Sequence, residues 1–140
     1  MIEKKAHYWL VKQEPTDYPW QQFVRDGQTE WTGVRNFQAR ANLTKMSVGD
    51  EVLYYHSNVG KEIVGLATVA RAAMPDPTDS EGRWVSVLLQ AGRALKKPVS
   101  LDVIKKDALL KNMALVKQSR LSVMPVTPQE WRRILELGGI

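Results

Sequence analysis

Residues 51–70 have the sequence EVLYYHSNVGKEIVGLATVA and decide which fold the chain can form. Two apolar stretches, 51–56 and 63–70, lie on either side of the turn-forming residues 58–60. Apolar runs of this length around such a turn are typical of a β-hairpin. The segment therefore predicts two neighbouring antiparallel strands.

Short strands and short helices alternate on both sides of this hairpin. Apolar runs predict three further strands, over residues 8–11, 84–90 and 120–126. Three helices are predicted to start at residues that can cap a helix, namely Asp17, Asn36 and Ser100. A last helix begins at the capping box of residues 127–130. Residues 74–83, with two prolines and three acidic residues, predict an exposed loop.

The spacing of these elements favours an α+β fold. The strand pairs are close enough in sequence for hairpins, and they lack the regular helical crossovers that a parallel sheet needs. We therefore expect a small, mostly antiparallel β-barrel or curved sheet flanked by short helices.

The composition is typical of one small domain. The 140 residues, 44% of them hydrophobic, suffice for a single core, so we expect one domain over residues 1–140. No apolar run is long enough for a membrane span or a signal peptide, so we expect a cytoplasmic protein with no membrane partner. We also expect a monomer. Cysteine is absent, which excludes disulfides, thiolate zinc sites and cysteine nucleophiles. The net charge of +5 favours a polyanionic partner.

One candidate site is the segment 31–36, which combines groups suited to a planar, polar ligand. Trp31 offers an aromatic face, Gly33 lets a ligand approach the backbone, and Arg35 and Asn36 offer a guanidinium and an amide. Stacking a base on an aromatic face contributes roughly 1–3 kcal/mol, while the polar groups read its edge or hold a phosphate. The alternative is that Trp31 is a core residue and Arg35 a solvated cation.

A second candidate lies where the strand 51–56 ends. Alternation along a strand places Tyr54 and His56 on one face and Tyr55 on the other. These side chains could form the wall of a pocket, with Ser57 and Asn58 at its edge. Equally, the Tyr and His side chains could be hydrogen-bonded neighbours beside the core.

Lys12 and Glu14, on either side of Gln13, point the same way if the chain stays extended, so a cation and a carboxylate could share a site. As a surface pair they would contribute less than about 1 kcal/mol. The two histidines lack the spacing of metal ligands, and the sequence has no phosphate-binding glycine loop, dinucleotide fingerprint or nucleophile elbow. The sequence therefore predicts neither a metal nor a cofactor.

These residues belong to blocks that resemble the EVE domain family, whose members are similar to thymocyte nuclear protein. The longest block is Trp31 with the sequence GVRNFQAR at residues 33–40. The other blocks lie at residues 8–12, 14–15, 49–50, 55–58, 64–65, 75–78, 120–123 and 125–126. Several blocks in the same order, covering residues 8 to about 137, are more specific than any single motif.

The resemblance implies a PUA-like fold, similar to the YTH domains that hold a methylated base in an aromatic cage. It also implies a non-catalytic module that recognises a modified base in DNA or RNA. Carried over to this chain, Trp31 would be a wall of the cage. The groups around it would be Lys12, Gln13, Thr32, Gly33 and Asn36. The opposing side would be Tyr55, His56, Ser57 and Asn58. Phosphates would be held, or the fold braced, by Arg35, Arg40 and Arg120. The chain departs from the family in having Phe37 where tyrosine is common and a short segment between Thr78 and Trp84.

Two other functions remain open at this stage. Some PUA-like families resemble amidohydrolases with a Lys, Thr and Glu set, which Lys12, Glu14 and either Thr16 or Thr32 could mimic. A protein-interaction domain would instead dock a partner peptide on exposed aromatic side chains. A concave pocket about one base wide favours a reader, whereas a flat apolar patch favours docking.

Overall fold

A computed structural model describes residues 7–140 of the chain. The strands in this range are β1 (Tyr8–Gln13), β2 (Gln28–Trp31), β3 (Glu51–His56), β4 (Glu62–Pro75), β5 (Val85–Ser100) and β6 (Val123–Val126). The helices are α1 (Trp20–Asp26), α2 (Phe37–Lys45), α3 (Leu101–Lys106), α4 (Ala114–Lys117) and α5 (Pro128–Leu137). The predicted α+β class is therefore confirmed.

The six strands form one sheet in the order β2-β5-β4-β3-β1-β6. Neighbouring strands are antiparallel except for β1 and β3, which are parallel. The strands β2 and β6 are the edges, so backbone hydrogen bonds do not close the sheet, but repeated register shifts between β4 and β5 add local bends to these two long strands. The barrel-like, mostly antiparallel description is confirmed for this open sheet. The hairpin predicted from residues 51–70 is the pair β3 and β4.

The parallel pairing of β1 with β3 positions the end of β1 for function. Parallel neighbours need a long connection, and residues 14–50 provide one that contains α1, β2 and α2. In the resulting register Lys12 lies opposite Tyr55, and Gln13 lies opposite His56. Two stretches that are distant in sequence thus end side by side in the sheet.

Three of the predicted helix starts are confirmed by their caps. The Asn36 side chain accepts a hydrogen bond from the Ala39 N–H at 2.9 Å, and the Ser100 side chain accepts one from the Val103 N–H at 3.2 Å. Thr127 and Glu130 form the reciprocal capping box. These caps satisfy N–H groups that otherwise have no partner at a helix start.

Other element boundaries were predicted wrongly. Asp17 does not cap α1, because its own N–H closes a turn onto the Glu14 carbonyl and the helix begins three residues later, after Pro19. The helix predicted after Ser100 ends at Lys106, because Asp107 is extended and binds Arg133. The strand β5 continues to Ser100, far beyond the predicted residue 90. The strand β2 was not predicted, because its sequence QTEW has no apolar run.

Buried side chains from the sheet and from the helices packed on it form one core cluster. Tyr54 is fully buried within an aromatic group, and its ring lies 5.3 Å from those of Trp20 and Phe23 and 5.7 Å from that of Trp31. The aromatic part of the core therefore reaches from α1 to the end of β2.

Within residues 7–140, no helix has the length and apolar character needed to cross a membrane.

Candidate functional site

A cavity of about 220 Å³ lies between the end of β1 and the strand β2. Its lining residues are Gln13, Asp17, Tyr18, Thr29, Glu30, Trp31 and Thr32. Cavities that bind drug-sized ligands have volumes of roughly 300–1,000 Å³. The size of this cavity therefore suits one planar group rather than a larger molecule.

Two aromatic rings contribute to the lining of this cavity. The rings of Tyr18 and Trp31 are 6.5 Å apart between centroids, with an interplanar angle of 75°. Only 5% of Trp31 is exposed, because its ring also packs on Tyr54 in the core. Trp31 is thus a core residue whose remaining surface lines the cavity, so the two roles considered for it do not exclude each other.

Hydrogen bonds hold the Tyr18 wall in place before any ligand binds. The buried Tyr54 hydroxyl donates to the Tyr18 carbonyl, and the Tyr18 hydroxyl donates to the Asp26 carboxylate at 2.6 Å. Burial raises the pKa of the Tyr18 hydroxyl, and the bond to Asp26 adds to this shift, so the hydroxyl remains a donor at neutral pH. The aromatic surfaces are therefore preorganised, which lowers the entropy cost of binding.

The rest of the lining is polar and partly acidic. The Gln13 side-chain oxygen accepts the Glu14 N–H at 3.1 Å, and the Thr32 N–H donates to the Glu30 carbonyl at 3.0 Å. The Glu30 carboxylate accepts from the Ser86 hydroxyl at 3.0 Å and lies 3.5 Å from the Arg71 guanidinium. These contacts fix the backbone around the cavity, and they engage one of its two carboxylates.

Lys12 does not line this cavity. Its ammonium group donates to the Ser119 carbonyl at 2.8 Å and lies 5.9 Å from the centre of the Tyr55 ring. Burial lowers the pKa of Lys12 and raises that of Tyr55. Lys12 therefore ties β1 to the segment before β6.

The neutral His56 side chain, at the end of β3, accepts a hydrogen bond from the first residue of α1. Its Nε2 atom accepts the Trp20 N–H at 3.1 Å, which requires an unprotonated nitrogen. Burial lowers the pKa of His56, and the nearby Glu62 carboxylate only partly opposes that effect. The ring centroids of Tyr54 and His56 are 5.8 Å apart, so the two side chains share one face of β3, as strand alternation predicts.

The loop after β3 joins the end of β1 rather than the wall opposite Trp31. The Ser57 N–H donates to the Gln13 carbonyl at 3.0 Å, and the Asn58 amide donates to the Glu14 carboxylate. Tyr55 is buried and His56 faces α1, so the segment 55–58 does not line the cavity. The position expected for it is occupied by Tyr18. A direct contact between residues 55–58 and a ligand stays a prediction.

Gly33 and Arg35 share one buried carboxylate. The Asp76 Oδ2 atom accepts the Gly33 N–H at 2.8 Å and pairs with the Arg35 guanidinium at 3.0 Å. Desolvation alone would raise the pKa of Asp76, but hydrogen bonds from Thr78, Gly33 and Arg35 outweigh it and lower that pKa to about 2. Arg35 therefore braces the turn after Trp31, where Gly33 adopts a φ of 80° that most residues avoid.

Asn36 and Arg120 line a second cavity, of about 330 Å³. Its other lining residues are Gln38, Gln118, Ser119 and Leu121. This cavity is larger, but no aromatic ring lines it, so it can hydrogen-bond a ligand without stacking on it. Volume alone favours the larger cavity as a ligand site. A flat ligand that stacks on aromatic rings is instead better suited to the smaller cavity.

Four residues that line the smaller cavity were missed from the sequence, namely Asp17, Tyr18, Thr29 and Glu30. Tyr18 approaches Trp31 because its carbonyl accepts a hydrogen bond from the Tyr54 hydroxyl, and the Tyr54 ring packs on Trp31. Gly27 and Gly33, which bracket β2, are the signal that could have indicated this strand.

The sequence profile of the EVE domain matches residues 7–137. The chain belongs to the EVE domain family. A protein of Rhodopseudomonas palustris solved by NMR is 49% identical, with a TM-score of 0.91 over 96% of this chain and 94% of that one. Thymocyte nuclear protein 1 of Rattus norvegicus is 33% identical over 94% of this chain and 74% of its own length.

Another similar solved structure is that of the human THYN1 protein in complex with DNA containing 5-methylcytosine. It is 30% identical to this chain, with a TM-score of 0.88 over 96% of this chain and 99% of that one. A YTH domain of Zygosaccharomyces rouxii shares the fold at 14% identity, with a TM-score of 0.63 over 99% of this chain and 90% of that one. The resemblance to the EVE family and to the YTH fold is therefore confirmed.

Proposed function

We propose that this EVE domain is a non-catalytic module that binds one modified base of a DNA or RNA strand in the cavity that Tyr18 and Trp31 line. The observation that carries the proposal is the pair of nearly perpendicular aromatic rings beside polar groups, in a cavity with room for one planar group. The human relative bound to DNA containing 5-methylcytosine supports the same class of ligand.

The lining defines how a base would be held. The base leaves its stack and enters the cavity, where contact with an aromatic ring contributes roughly 1–3 kcal/mol. Thr32 and Gln13 offer hydrogen bonds to its edge, and the Asp17 carboxylate can accept one from an exocyclic amino group. A buried methyl group adds about 0.8 kcal/mol, so preference for a methylated base should be about fourfold.

The nucleic acid backbone would be held by cations outside the cavity. The chain carries a net charge of +5, and Arg120 lines the larger, polar cavity together with Asn36. Contacts with phosphates release counterions, so affinity should fall with salt concentration. Lys12 and Gly33, together with residues 55–58, would support the site by fixing the strands and the turn around it.

The geometry also weighs against the amidohydrolase alternative. The Lys12 ammonium binds the Ser119 carbonyl, and the Glu14 carboxylate binds Asn58. A lysine that activates a threonine must lie within hydrogen-bond reach of its hydroxyl. Thr32 lines the cavity without Lys12, so binding rather than turnover is the proposal.

The test is a titration of short single-stranded oligonucleotides that differ only in one cytosine or 5-methylcytosine. Tyr18→Leu should weaken binding of the methylated strand about fivefold or more, because an aromatic surface is lost. Thr32→Val should weaken it about threefold to tenfold, because a hydrogen bond is lost.

Matched controls separate these effects from general loss of stability. Tyr8→Leu removes a half-buried tyrosine that stacks on Trp131 at 4.6 Å, and Thr68→Val changes a half-buried threonine of β4. Both controls should bind as the wild type does. Equal affinity of Tyr18→Leu and wild type for the methylated strand would contradict the proposal.

A further inference from the structure

Phe37, the first residue of α2, carries its ring outside the core. The residue is 68% exposed, and the ring stacks on Trp84 at 5.1 Å with an interplanar angle of 27°. Among residues 7–140 it is the one exposed residue of the Phe, Trp and Tyr types. The exposed Phe37 ring, stacked on Trp84, offers a flat apolar surface on which another planar group can stack.

Two guanidinium groups lie beside this ring pair. The Arg40 guanidinium carbon is 4.9 Å from the Phe37 ring centre and 5.5 Å from that of Trp84, and that of Arg35 is 5.8 Å from Trp84. Arg40 donates to the Arg83 carbonyl at 2.8 Å and, among the described residues, pairs with no carboxylate. We call Phe37, Trp84, Arg35 and Arg40 the aromatic platform.

The loop that carries Trp84 is held in shape by Asp79. Its carboxylate accepts the N–H groups of Glu81, Arg83 and Trp84 at 2.7–2.9 Å. The short segment between Thr78 and Trp84 thus has a defined structure that presents the Trp84 ring to Phe37. A preformed surface of this kind binds a ligand with a smaller loss of conformational entropy.

The aromatic platform is close to the cavity along the chain. Thr32, in the cavity, and Phe37 are five residues apart, so their Cα atoms are separated by about 18 Å at most. A nucleic acid strand in B-form geometry advances about 3.4 Å per nucleotide, so about five nucleotides cover this distance. One strand can therefore reach both places.

We propose that the aromatic platform binds a second nucleotide of the same strand, stacking its base on Phe37 and holding its phosphate with Arg40. This inference rests on the proposed function, since it extends the strand whose modified base occupies the cavity. A ring flanked by cations matches the combination of stacking and phosphate contact that single strands use. A single exposed ring is too small to be the centre of a stable protein interface, so nucleic acid is the occupant that the chemistry favours.

The experiment compares two ligands, the nucleoside 5-methyldeoxycytidine and a single strand of about 13 nucleotides with one central 5-methylcytosine, which leaves about six nucleotides on each side to reach the aromatic platform. Phe37→Ala should weaken binding of the strand about fivefold or more and leave that of the nucleoside unchanged. Phe37→Tyr should bind the strand as the wild type does. Arg40→Gln should reduce the slope of log affinity against log salt concentration by about 0.7.

Val48→Ala, which removes an exposed apolar side chain beyond the end of α2, is the control and should leave both affinities unchanged. Unchanged binding of the strand by Phe37→Ala would overturn the inference and leave a protein partner as the occupant of the platform. The cavity is tested separately by Tyr18→Leu and the nucleoside. If that variant binds the nucleoside as the wild type does, the proposed function fails, whatever the result at Phe37.

An NMR readout checks the location of the second nucleotide. The indole N–H signal of Trp84 should shift on addition of the strand and stay in place on addition of the nucleoside. An indole signal that does not respond to the strand at saturation would also overturn the inference.

Discussion

The indole ring of Trp20 packs directly on the backbone of Gly65 in β4. A Cβ atom added at Gly65 would lie 2.7 Å from the Cε2 atom of Trp20, which is closer than carbon atoms approach. The ring centroid of Tyr54 lies 5.3 Å from that of Trp20 and 5.7 Å from that of Trp31. The absence of a side chain at Gly65 therefore lets α1 lie close to the sheet, and this packing continues to the wall of the cavity.

Gly65→Ala should accordingly lower the free energy of unfolding by roughly 1–3 kcal/mol, because the added methyl group overpacks the contact with Trp20. Urea denaturation of the variant measures this loss. A smaller ring should relieve it, so the double variant Gly65→Ala, Trp20→Phe should lose less than the sum of the two single variants. Strict additivity of the single variants would contradict the packing described for Trp20.

The buried carboxylate of Asp76 should make stability depend on acid pH. Its pKa is lowered from 3.8 to about 2, so the folded state favours the carboxylate. This contribution, about 2 kcal/mol, is complete above the ordinary pKa and is lost as the pH falls from about 4 to about 2. Asp76→Asn should remove this contribution. The free energy of unfolding of the variant should therefore be lower at neutral pH and should change less as the pH falls from about 4 to about 2.

Urea denaturation at about pH 7 and about pH 3 makes the comparison for Asp76. The exposed Asp102→Asn, in the first turn of α3, is the matched control and should retain the acid dependence of the wild type. If Asp76→Asn and wild type lose the same stability between the two pH values, the network around Gly33 and Arg35 does not hold the turn as described.

His56 should add a second pH dependence, nearer neutrality. Burial lowers its pKa below the ordinary 6.5, so the folded state disfavours the imidazolium. The contribution of neutral His56 to the free energy of unfolding is therefore fully present above about pH 6.5. It is lost as the pH falls below that value toward the lower pKa of the folded state. His56→Gln offers an acceptor for the Trp20 N–H that does not titrate, so this variant should lose less stability in mild acid.

The measurement for His56 is the urea midpoint at about pH 7.5 and about pH 5.5. His7→Gln, at an exposed position before β1, is the matched control and should change as the wild type does. A fall in midpoint that is as large in His56→Gln as in the wild type would show that another group causes it.

Part of the fold follows from local sequence signals. The hairpin of β3 and β4 and the caps at Asn36, Ser100 and Thr127 depend on residues within a few positions of each other. The extent of β5 depends instead on pairing with β4, which keeps a proline-containing segment extended through Pro98. No local pattern encodes that pairing.

The site was predictable only where one segment or a recognised block carries it. Trp31 and Thr32 are adjacent in sequence, and Gln13 lies between the first two blocks of the family resemblance, so three of the lining residues were anticipated. Tyr18 reaches Trp31 through tertiary packing on Tyr54, which periodicity does not reveal. The family resemblance implies Lys12 and Tyr55 as pocket residues, whereas the Lys12 ammonium binds the Ser119 carbonyl beside the Tyr55 ring and neither residue lines this cavity. Cytoplasmic location and a monomeric state stay predictions.

The most direct test of the account is an NMR measurement of contacts between the protein and a bound base. Nuclear Overhauser effects are recorded between the methyl protons of 5-methyldeoxycytidine and the aromatic ring protons of the protein. We expect cross-peaks to Tyr18 and Trp31, and none to Trp131, whose ring stacks on Tyr8. Cross-peaks at saturation to other rings, with none to Tyr18 or Trp31, would contradict the assignment of the cavity as the base-binding site.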